Sequence, residues 1–172
     1  MFQACVGLIP ENELTLTSGL SLSGITTGAS VNQYMQTEIP YVFACGNVLH
    51  VNDLVDNVSR ESEQAGRYAA KYAAGALDAG KRVEAKAGEG IRYVCPQSID
   101  TAAEADVDLF FRTIVPGRDT TLVVSCGGEV LARKKLTATT PGAMEKLTIS
   151  AEKLSSLDGD VIVTAEHKEV LA

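Results

Sequence analysis

The chain has 172 residues, of which 45% are hydrophobic, and its 15 basic and 22 acidic residues give a formal net charge of −7. This length and composition support one or two small domains with a real core and argue against disorder throughout. The acidic balance argues against nucleic acid or an anionic membrane as the principal partner. No apolar run reaches the roughly 20 residues of a membrane span, and no secretory signal pattern is present, so we expect a cytoplasmic protein.

The first elements are short and irregular. Residues 4–9 form an apolar run that Pro10 stops, which predicts a buried strand followed by a turn. Residues 15–36 are rich in Thr, Ser and Gly without a clear period, so we expect loop, one or two short strands and a turn at 24–28. Residues 41–44, YVFA, are apolar on both faces, which predicts a buried central strand of a parallel sheet.

A helix is predicted next. Asp53 or Asp56 can cap it, and apolar positions recur at three- and four-residue steps through residues 54–76. Gly75 and Gly80 mark its exit. We expect the charged side chains along it to form a solvated face with i to i+4 pairs rather than a substrate clamp. These side chains are Arg60, Glu61, Glu63 and Arg67.

From Lys81 onward the sequence changes to short strand-like runs separated by turn signals, which predicts a small antiparallel β-sandwich. Gly127 and Gly128 give the clearest hairpin signal. The Gly- and charge-rich stretch 78–90 indicates a boundary, and therefore two domains, residues 1–80 and residues 81–172. The six predicted strands are residues 91–96, 107–115, 120–126, 129–136, 145–150 and 160–166.

Metal and thiol chemistry are poorly supported. The chain has two histidines and four widely spaced cysteines without a CxxC pair. We expect the cysteines to be reduced thiols that pack as small apolar residues. His50, Asp53 and Asp56 recur every third residue, but helix capping explains the aspartates, so we predict no metal site. The cysteines are Cys5, Cys45, Cys95 and Cys126.

Residues 39–47, IPYVFACGN, together with the helix-forming segment after them, resemble the second flavin-binding motif of the FAD-dependent pyridine nucleotide-disulfide oxidoreductase family. In that motif a strand running FAxGD delivers an acidic residue to the ribitol chain of FAD. The resemblance extends to VGLIPENEL at 6–14, GITTGASVNQYMQTEIP at 24–40 and QAGRYAAKYAAG at 64–75. The sequence is similar to the glycerol-3-phosphate dehydrogenase-type and cyanide synthase-type flavoproteins, in which an extra β domain follows. The implied fold class is α+β, a partial FAD-binding, Rossmann-like α/β segment followed by the β-sandwich.

The resemblance also implies site residues. It implies that Gly46 lets the backbone approach FAD closely and that Asn47, in place of the usual Asp, hydrogen-bonds a ribitol hydroxyl. The amide weakens this bond by about 1 kcal/mol relative to a carboxylate. The backbone N–H groups of Val55, Asp56 and Asn57 are implied to face the flavin pyrimidine ring, where the positive end of the helix stabilises negative charge. No residue is predicted to be catalytic.

Complete members of the family begin with a GxGxxG turn that seats the AMP half of FAD at a helix N-terminus, and these 172 residues contain no such motif. We therefore expect a fragment or subunit of an FAD- and NAD(P)-dependent oxidoreductase that is not catalytic alone. The expected partner is a second copy or a subunit carrying the N-terminal flavin-binding half. Two alternatives remain open, an interaction or assembly module of an oxidoreductase complex and a non-functional remnant of a truncated gene.

Overall fold

The computed structural model describes residues 10–77 and 80–170, so the strand predicted at residues 4–9 lies outside the described residues. The fold is mixed α+β, with few helices and with most of the regular structure in strands of two sheets. The helical elements are α1 (Glu13–Thr17), a 3-10 turn (Gly46–Val48), α2 (Val55–Ala73) and α3 (Ala151–Leu154). None of the helices in these ranges is long and apolar enough to cross a membrane.

Eight strands follow α2 in the chain, and α3 lies between the last two. They are β1 (Arg82–Ala87), β2 (Ile91–Cys95), β3 (Ser98–Asp100), β4 (Val107–Thr113), β5 (Gly117–Cys126), β6 (Glu129–Thr139), β7 (Glu145–Ile149) and β8 (Val161–Val170). The six predicted strands are confirmed within a few residues of their expected bounds. Strands β1 and β3 were not predicted. Strand β1 lies within the Gly- and charge-rich stretch 78–90, which we expected to be a boundary.

The strands form a five-stranded sheet of order β3-β1-β8-β5-β6 and a three-stranded sheet of order β2-β4-β7. The smaller sheet is antiparallel throughout. In the larger sheet β1 runs parallel to β8, with Ala85 opposite Val161. The prediction of an antiparallel sandwich is therefore wrong for β1 and β8. These two strands lie at opposite ends of the β region in sequence and pair in parallel.

The two sheets share one apolar core. Along β4 the side chains alternate strictly, and Val107, Leu109 and Phe111 point inward. Leu122 on β5 and Val163 on β8 meet them from the other sheet and are fully buried. Each such side chain stabilises the fold by about 2 kcal/mol on burial.

The predicted hairpin between β5 and β6 is confirmed. Gly127 and Gly128 form its two-residue loop with φ of +56° and +89°. A two-residue turn of this kind needs positive φ at both central positions, which glycine adopts without steric cost.

Residues 41–44 do not form the predicted buried strand. Phe43 forms a single antiparallel bridge with Gln36, and Tyr41 is 72% exposed. The prediction is wrong because, within the described residues, no parallel sheet forms around this segment. Residues 42–44 are therefore only partly buried. A Rossmann-like segment is not confirmed within residues 10–77.

The turn predicted at residues 24–28 is confirmed. The Ser23 N–H donates to the Gly28 carbonyl at 2.8 Å, and Leu22 and Ala29 form a bridge beyond it. The Asn12 amide donates to the carbonyls of Thr27 at 2.9 Å and Val48 at 3.1 Å. The buried Asn12 side chain therefore connects this turn to the chain at Gly46–Val48 through hydrogen bonds.

Helix α2 has the predicted position but a different start. Its N-cap residue is Leu54, which makes no side-chain capping bond, so neither Asp53 nor Asp56 caps it. At the other end, Gly75 has a φ of +66° and Ala76 donates its N–H to the Lys71 carbonyl at 2.8 Å. This bond belongs to a Schellman motif and confirms that the helix ends before Gly75.

The segment before β1 packs on the β region. The Gln33 side chain bonds both backbone groups of Asp100, donating at 2.9 Å and accepting at 2.8 Å. A small apolar cluster joins Met35, Leu49 and Ala65 to Tyr93 and Cys95 of β2. The division into domains 1–80 and 81–172 stays a prediction.

Candidate functional site

A buried carboxylate lies beneath the 3-10 turn that follows residues 41–44. Glu61, on α2, is 4% exposed. Its Oε2 accepts the Gly46 N–H at 2.7 Å, and its Oε1 lies 2.9 Å from His50 Nε2. Burial of a charged group is costly unless it is paired in this way, so the three groups form one unit.

Glu61 corrects the prediction of a uniformly solvated face on α2. Arg60, Glu63 and Arg67 are exposed as expected, but Glu61 points into the protein. It lies one turn before Ala65, which is also buried, and both side chains belong to the stripe of α2 that faces the preceding turn.

Gly46 lets this contact form. Its φ is +74°, and a Cβ at this position would come within 3.1 Å of the Val58 side chain. Positive φ strains other residue types, and the lack of a side chain lets the backbone approach α2 closely. The expected close approach of Gly46 to FAD stays a prediction, and in this structure the Gly46 N–H is taken by Glu61 of the same chain.

The His50 ring is held on several sides. It is 1% exposed, and its edge-on aromatic neighbours are Tyr93, with ring centroids 5.8 Å apart, and Phe110, at 6.2 Å. Since Nε2 faces the Glu61 carboxylate, the hydrogen is assigned to Nε2. Nδ1 has no hydrogen-bond partner among residues 10–77 and 80–170. The ring therefore presents one uncommitted polar atom on the side away from Glu61.

That side of His50 belongs to an open cleft of about 340 Å³. Tyr93 and two arginines contribute polar groups to its wall, and the rest of the lining is Pro10, Ile25, Thr26, Thr27 and Val51. The arginines are Arg92 on β2 and Arg112 on β4. Such a mixture of convergent polar groups and apolar surface is typical of a small-molecule site.

Arg112 is committed to structural bonds. Its guanidinium donates to the Val51 carbonyl at 2.9 Å and also to the Asp53 carboxylate and the Gly142 carbonyl. Its Nε donates to the Tyr93 hydroxyl at 3.3 Å. Asp53 also accepts the Met144 N–H at 2.7 Å, which explains why it is not available to cap α2.

Burial determines the state of the two titratable groups on β2. Burial raises the pKa of Tyr93, so its hydroxyl stays protonated at neutral pH. Burial also raises the pKa of the Cys95 thiol, which makes it a poor nucleophile. Cys45, Cys95 and Cys126 are free thiols, as expected, and Cys5 lies outside the described residues.

The residues predicted to contact FAD lie on one short stretch but differ in access. Gly46 is buried, whereas Asn47 is exposed and its Oδ1 accepts the Asn52 N–H at 3.1 Å. Val55 and Asp56 are exposed at the start of α2, and Asn57 is half-buried. Their roles toward FAD stay predictions.

Sequence reasoning missed the partnership of His50 with Glu61 and the cleft beside it. The available signal was the position of Glu61 between Val58 and Ala65 on one helical stripe. Across the described ranges no group of three His, Cys, Asp or Glu residues is placed to hold a metal ion, and Asp53 is bound to Arg112.

Comparison of the chain with models of protein families, with curated proteins and with solved structures finds no match in any of the three. No family is therefore assigned, and the likeness to flavin oxidoreductases rests on the sequence motifs quoted above.

Proposed function

We propose that this chain is part of a flavin-dependent NAD(P)H oxidoreductase of the pyridine nucleotide-disulfide oxidoreductase family and supplies the ribitol and pyrimidine side of its FAD site. The main support is that Asn12, in the motif at 6–14, contacts a second motif and the edge of a third. It donates to the Thr27 carbonyl, in the motif at 24–40, at 2.9 Å, and to the carbonyl of Val48, which directly follows the motif at 39–47, at 3.1 Å. Motifs that are separate in the sequence thus meet at one place.

The residues at this place suit a flavin. The Asn47 side chain is exposed beside the exposed first turn of α2 at Val55 and Asp56. The first N–H groups of a helix generally lack an intrahelical acceptor, and the helix dipole favours a partner with negative charge there. In α2 the Asn57 N–H donates to the Leu54 carbonyl at 3.1 Å, so the flavin contact falls to Val55 and Asp56. Because Glu61 occupies the Gly46 N–H, the ribitol contact falls to Asn47. FAD, when bound, would supply hydride transfer from NAD(P)H; the residues of this chain bind and orient it.

A partner is part of the proposal. Six large apolar side chains in the segment before α2 and in its first residue are 60% exposed or more, and in a complex they would be covered. We propose a second copy of the chain or a subunit that carries the GxGxxG turn, in a cytoplasmic complex. The six side chains are Leu14, Leu16, Ile25, Tyr41, Leu54 and Val55.

The test is an FAD titration of the purified chain, followed by fluorescence quenching and visible absorbance. Micromolar, stoichiometric binding is expected, with about fivefold weaker binding by Asn47→Ala and recovery in Asn47→Asp, which restores a charged acceptor. Glu63→Gln, an exposed change on the far side of α2 from Glu61, is the matched control. No quenching with FAD at about 100 μM, or equal binding by Asn47→Ala, would contradict the proposed site.

An assembly module is the second candidate function. It is favoured by the β region, which has a core of its own and contains none of the predicted flavin contacts. The same titration separates the two candidates, because an assembly module binds its partner whether or not FAD is present. Co-purification with a GxGxxG-bearing subunit without flavin in the complex would favour this second function.

A further inference from the structure

We propose that the cleft beside His50 binds a small monocarboxylate that carries a short apolar chain. This site is distinct from the proposed flavin contacts at Asn47 and the start of α2, so either proposal can fail without the other. The cleft volume of about 340 Å³ suits a molecule of this size. The inference depends on what each wall of the cleft offers.

The floor offers a buried polar atom without a partner. His50 lines the cleft, and because its Nε2 is 2.9 Å from Glu61, Nδ1 is the ring nitrogen left for a ligand. Among the described residues nothing bonds Nδ1, although the side chain is only 1% exposed. A buried polar atom without a partner is costly, and a ligand that bonds it removes this cost.

Tyr93 offers a second group. Its hydroxyl accepts the Arg112 Nε–H at 3.3 Å, which leaves its own hydrogen free to be donated to a ligand. The high pKa that burial gives Tyr93 keeps that hydrogen in place. Arg112 donates four of its five N–H groups, to Tyr93, Val51, Asp53 and Gly142. Its main role at the cleft is therefore to position Tyr93.

Arg92 supplies the charge. It is exposed at the cleft and forms no ion pair within residues 10–77 and 80–170. A guanidinium matches a carboxylate with two parallel hydrogen bonds. One free cation suits one negative charge, whereas a phosphate dianion would need a second. Ile25 and Val51 line the remaining wall and suit a short aliphatic chain.

Binding requires a proton on His50. With Nε2–H directed at Glu61, Nδ1 of a neutral ring is an acceptor and repels a carboxylate. The bound ring is therefore an imidazolium between two carboxylates, that of Glu61 on α2 and that of the ligand. The other titratable groups around it are Tyr93 and Arg92 on β2 and Arg112 on β4.

The experiment is nitrogen NMR of the chain labelled with ¹⁵N in its two histidines, titrated with 3-methylbutanoate. The His50 ring nitrogen resonances are expected to shift on binding, while those of His167 stay fixed and serve as the internal control. The uncharged amide of the same acid is expected to cause no such change. His50 ring resonances that stay fixed with about 20 mM carboxylate overturn the proposal.

Variants test the remaining groups. Arg92→Gln is expected to weaken 3-methylbutanoate binding about tenfold, while Arg133→Gln, an exposed change on β6, leaves it unchanged. Equal losses in both variants would indicate non-specific attraction and overturn the site. Inorganic phosphate is the remaining probe, and if it moved the His50 resonances at lower concentration than the carboxylate, the ligand class would be wrong. These measurements use folded protein and do not depend on a His50 substitution that could unfold the chain.

Discussion

The buried Glu61 carboxylate is the most consequential single residue of the segment before β1. It holds a backbone N–H of the 3-10 turn and a histidine of the following loop at once, with distances of 2.7 and 2.9 Å. Removing one member of such a group leaves the others buried without a partner, which costs more than the group contributes when intact. The helix and the loop therefore depend on this side chain for their relative position.

Glu61→Ala is expected to lower the free energy of unfolding by about 3 kcal/mol, because Gly46 and His50 both lose their acceptor. Glu61→Gln keeps an acceptor and is expected to cost about half as much. Urea unfolding measures both values. Glu63→Ala, an exposed neighbour on α2, is the control and should change stability by less than about 0.5 kcal/mol. Equal effects of Glu61→Ala and Glu63→Ala would show that the buried bonds contribute nothing.

Tyr34 predicts a response to alkaline pH. Burial and the charge of Asp100 raise the pKa of Tyr34 to about 12, above the usual tyrosine value of about 10. The folded chain thus holds the phenol proton more tightly than the unfolded chain. The stabilisation from this residue is complete below pH 10 and is lost as pH rises toward 12. Absorbance at 295 nm should show a late tyrosinate phase from Tyr34 and Tyr93. Tyr34→Phe is expected to reduce the amplitude of this phase, and replacement of the exposed Tyr41 by Phe is expected to leave it unchanged.

Close packing between elements is set by a second glycine. At Gly28, a Cβ would lie 2.0 Å from the Leu49 carbonyl oxygen, so the turn before Ala29 and the residue before His50 touch through their backbones. Contacts of this length cannot be relieved by a side-chain rotation. The backbone of one segment has to move, which also displaces the Asn12 bonds to Thr27 and Val48.

Gly28→Ala is therefore expected to destabilise the chain by about 3 kcal/mol. Gly24→Ala in the same turn, where the space around a Cβ is open, is expected to be neutral or slightly stabilising because it restricts the unfolded chain. Thermal unfolding of the two variants measures the difference. Equal stability of Gly28→Ala and Gly24→Ala would contradict the close packing of Gly28 against the Leu49 backbone.

The β region was predictable from sequence because its signals are local. The short strand-like runs between turn signals, the β5–β6 turn at Gly127 and Gly128, and the helical period of α2 each depend on neighbouring residues. What could not be predicted depends on distant ones. Glu61 is buried by a turn 15 residues away, Asp53 is held by Arg112, and residues 41–44 lack the neighbours that a parallel strand needs. Sequence periodicity contains none of this information.

Over the whole molecule, apolar exposure is uneven. Most of the strongly exposed large apolar side chains precede or begin α2, whereas the two sheets bury their own apolar residues around one core. Burying these exposed apolar side chains in a complex would contribute about 25 cal/mol per Å² of apolar surface. This asymmetry supports association through the first segment, either with a second copy or with the flavin-binding half.

The purified chain is expected to sediment as a dimer at micromolar concentration, and the double change Leu14→Ser and Leu16→Ser is expected to shift it toward monomer. Both side chains are on α1 and are 83% and 60% exposed, so their replacement leaves the core intact. Val130→Ser, at an exposed position of β6, is the control. A monomer in the unaltered chain at this concentration would contradict self-association and leave the complementary subunit as the partner.

The pairing of β1 with β8 has a consequence for synthesis. Strand β8 lies between β1 and β5 in the larger sheet, yet it follows all the other described strands in the chain. Until residues 161–170 have left the ribosome, Ala85 and its neighbours have no parallel partner and the sheet is divided in the middle. Folding of the β region is therefore expected to be completed only after β8 has been synthesised, at a rate set by bringing distant segments together.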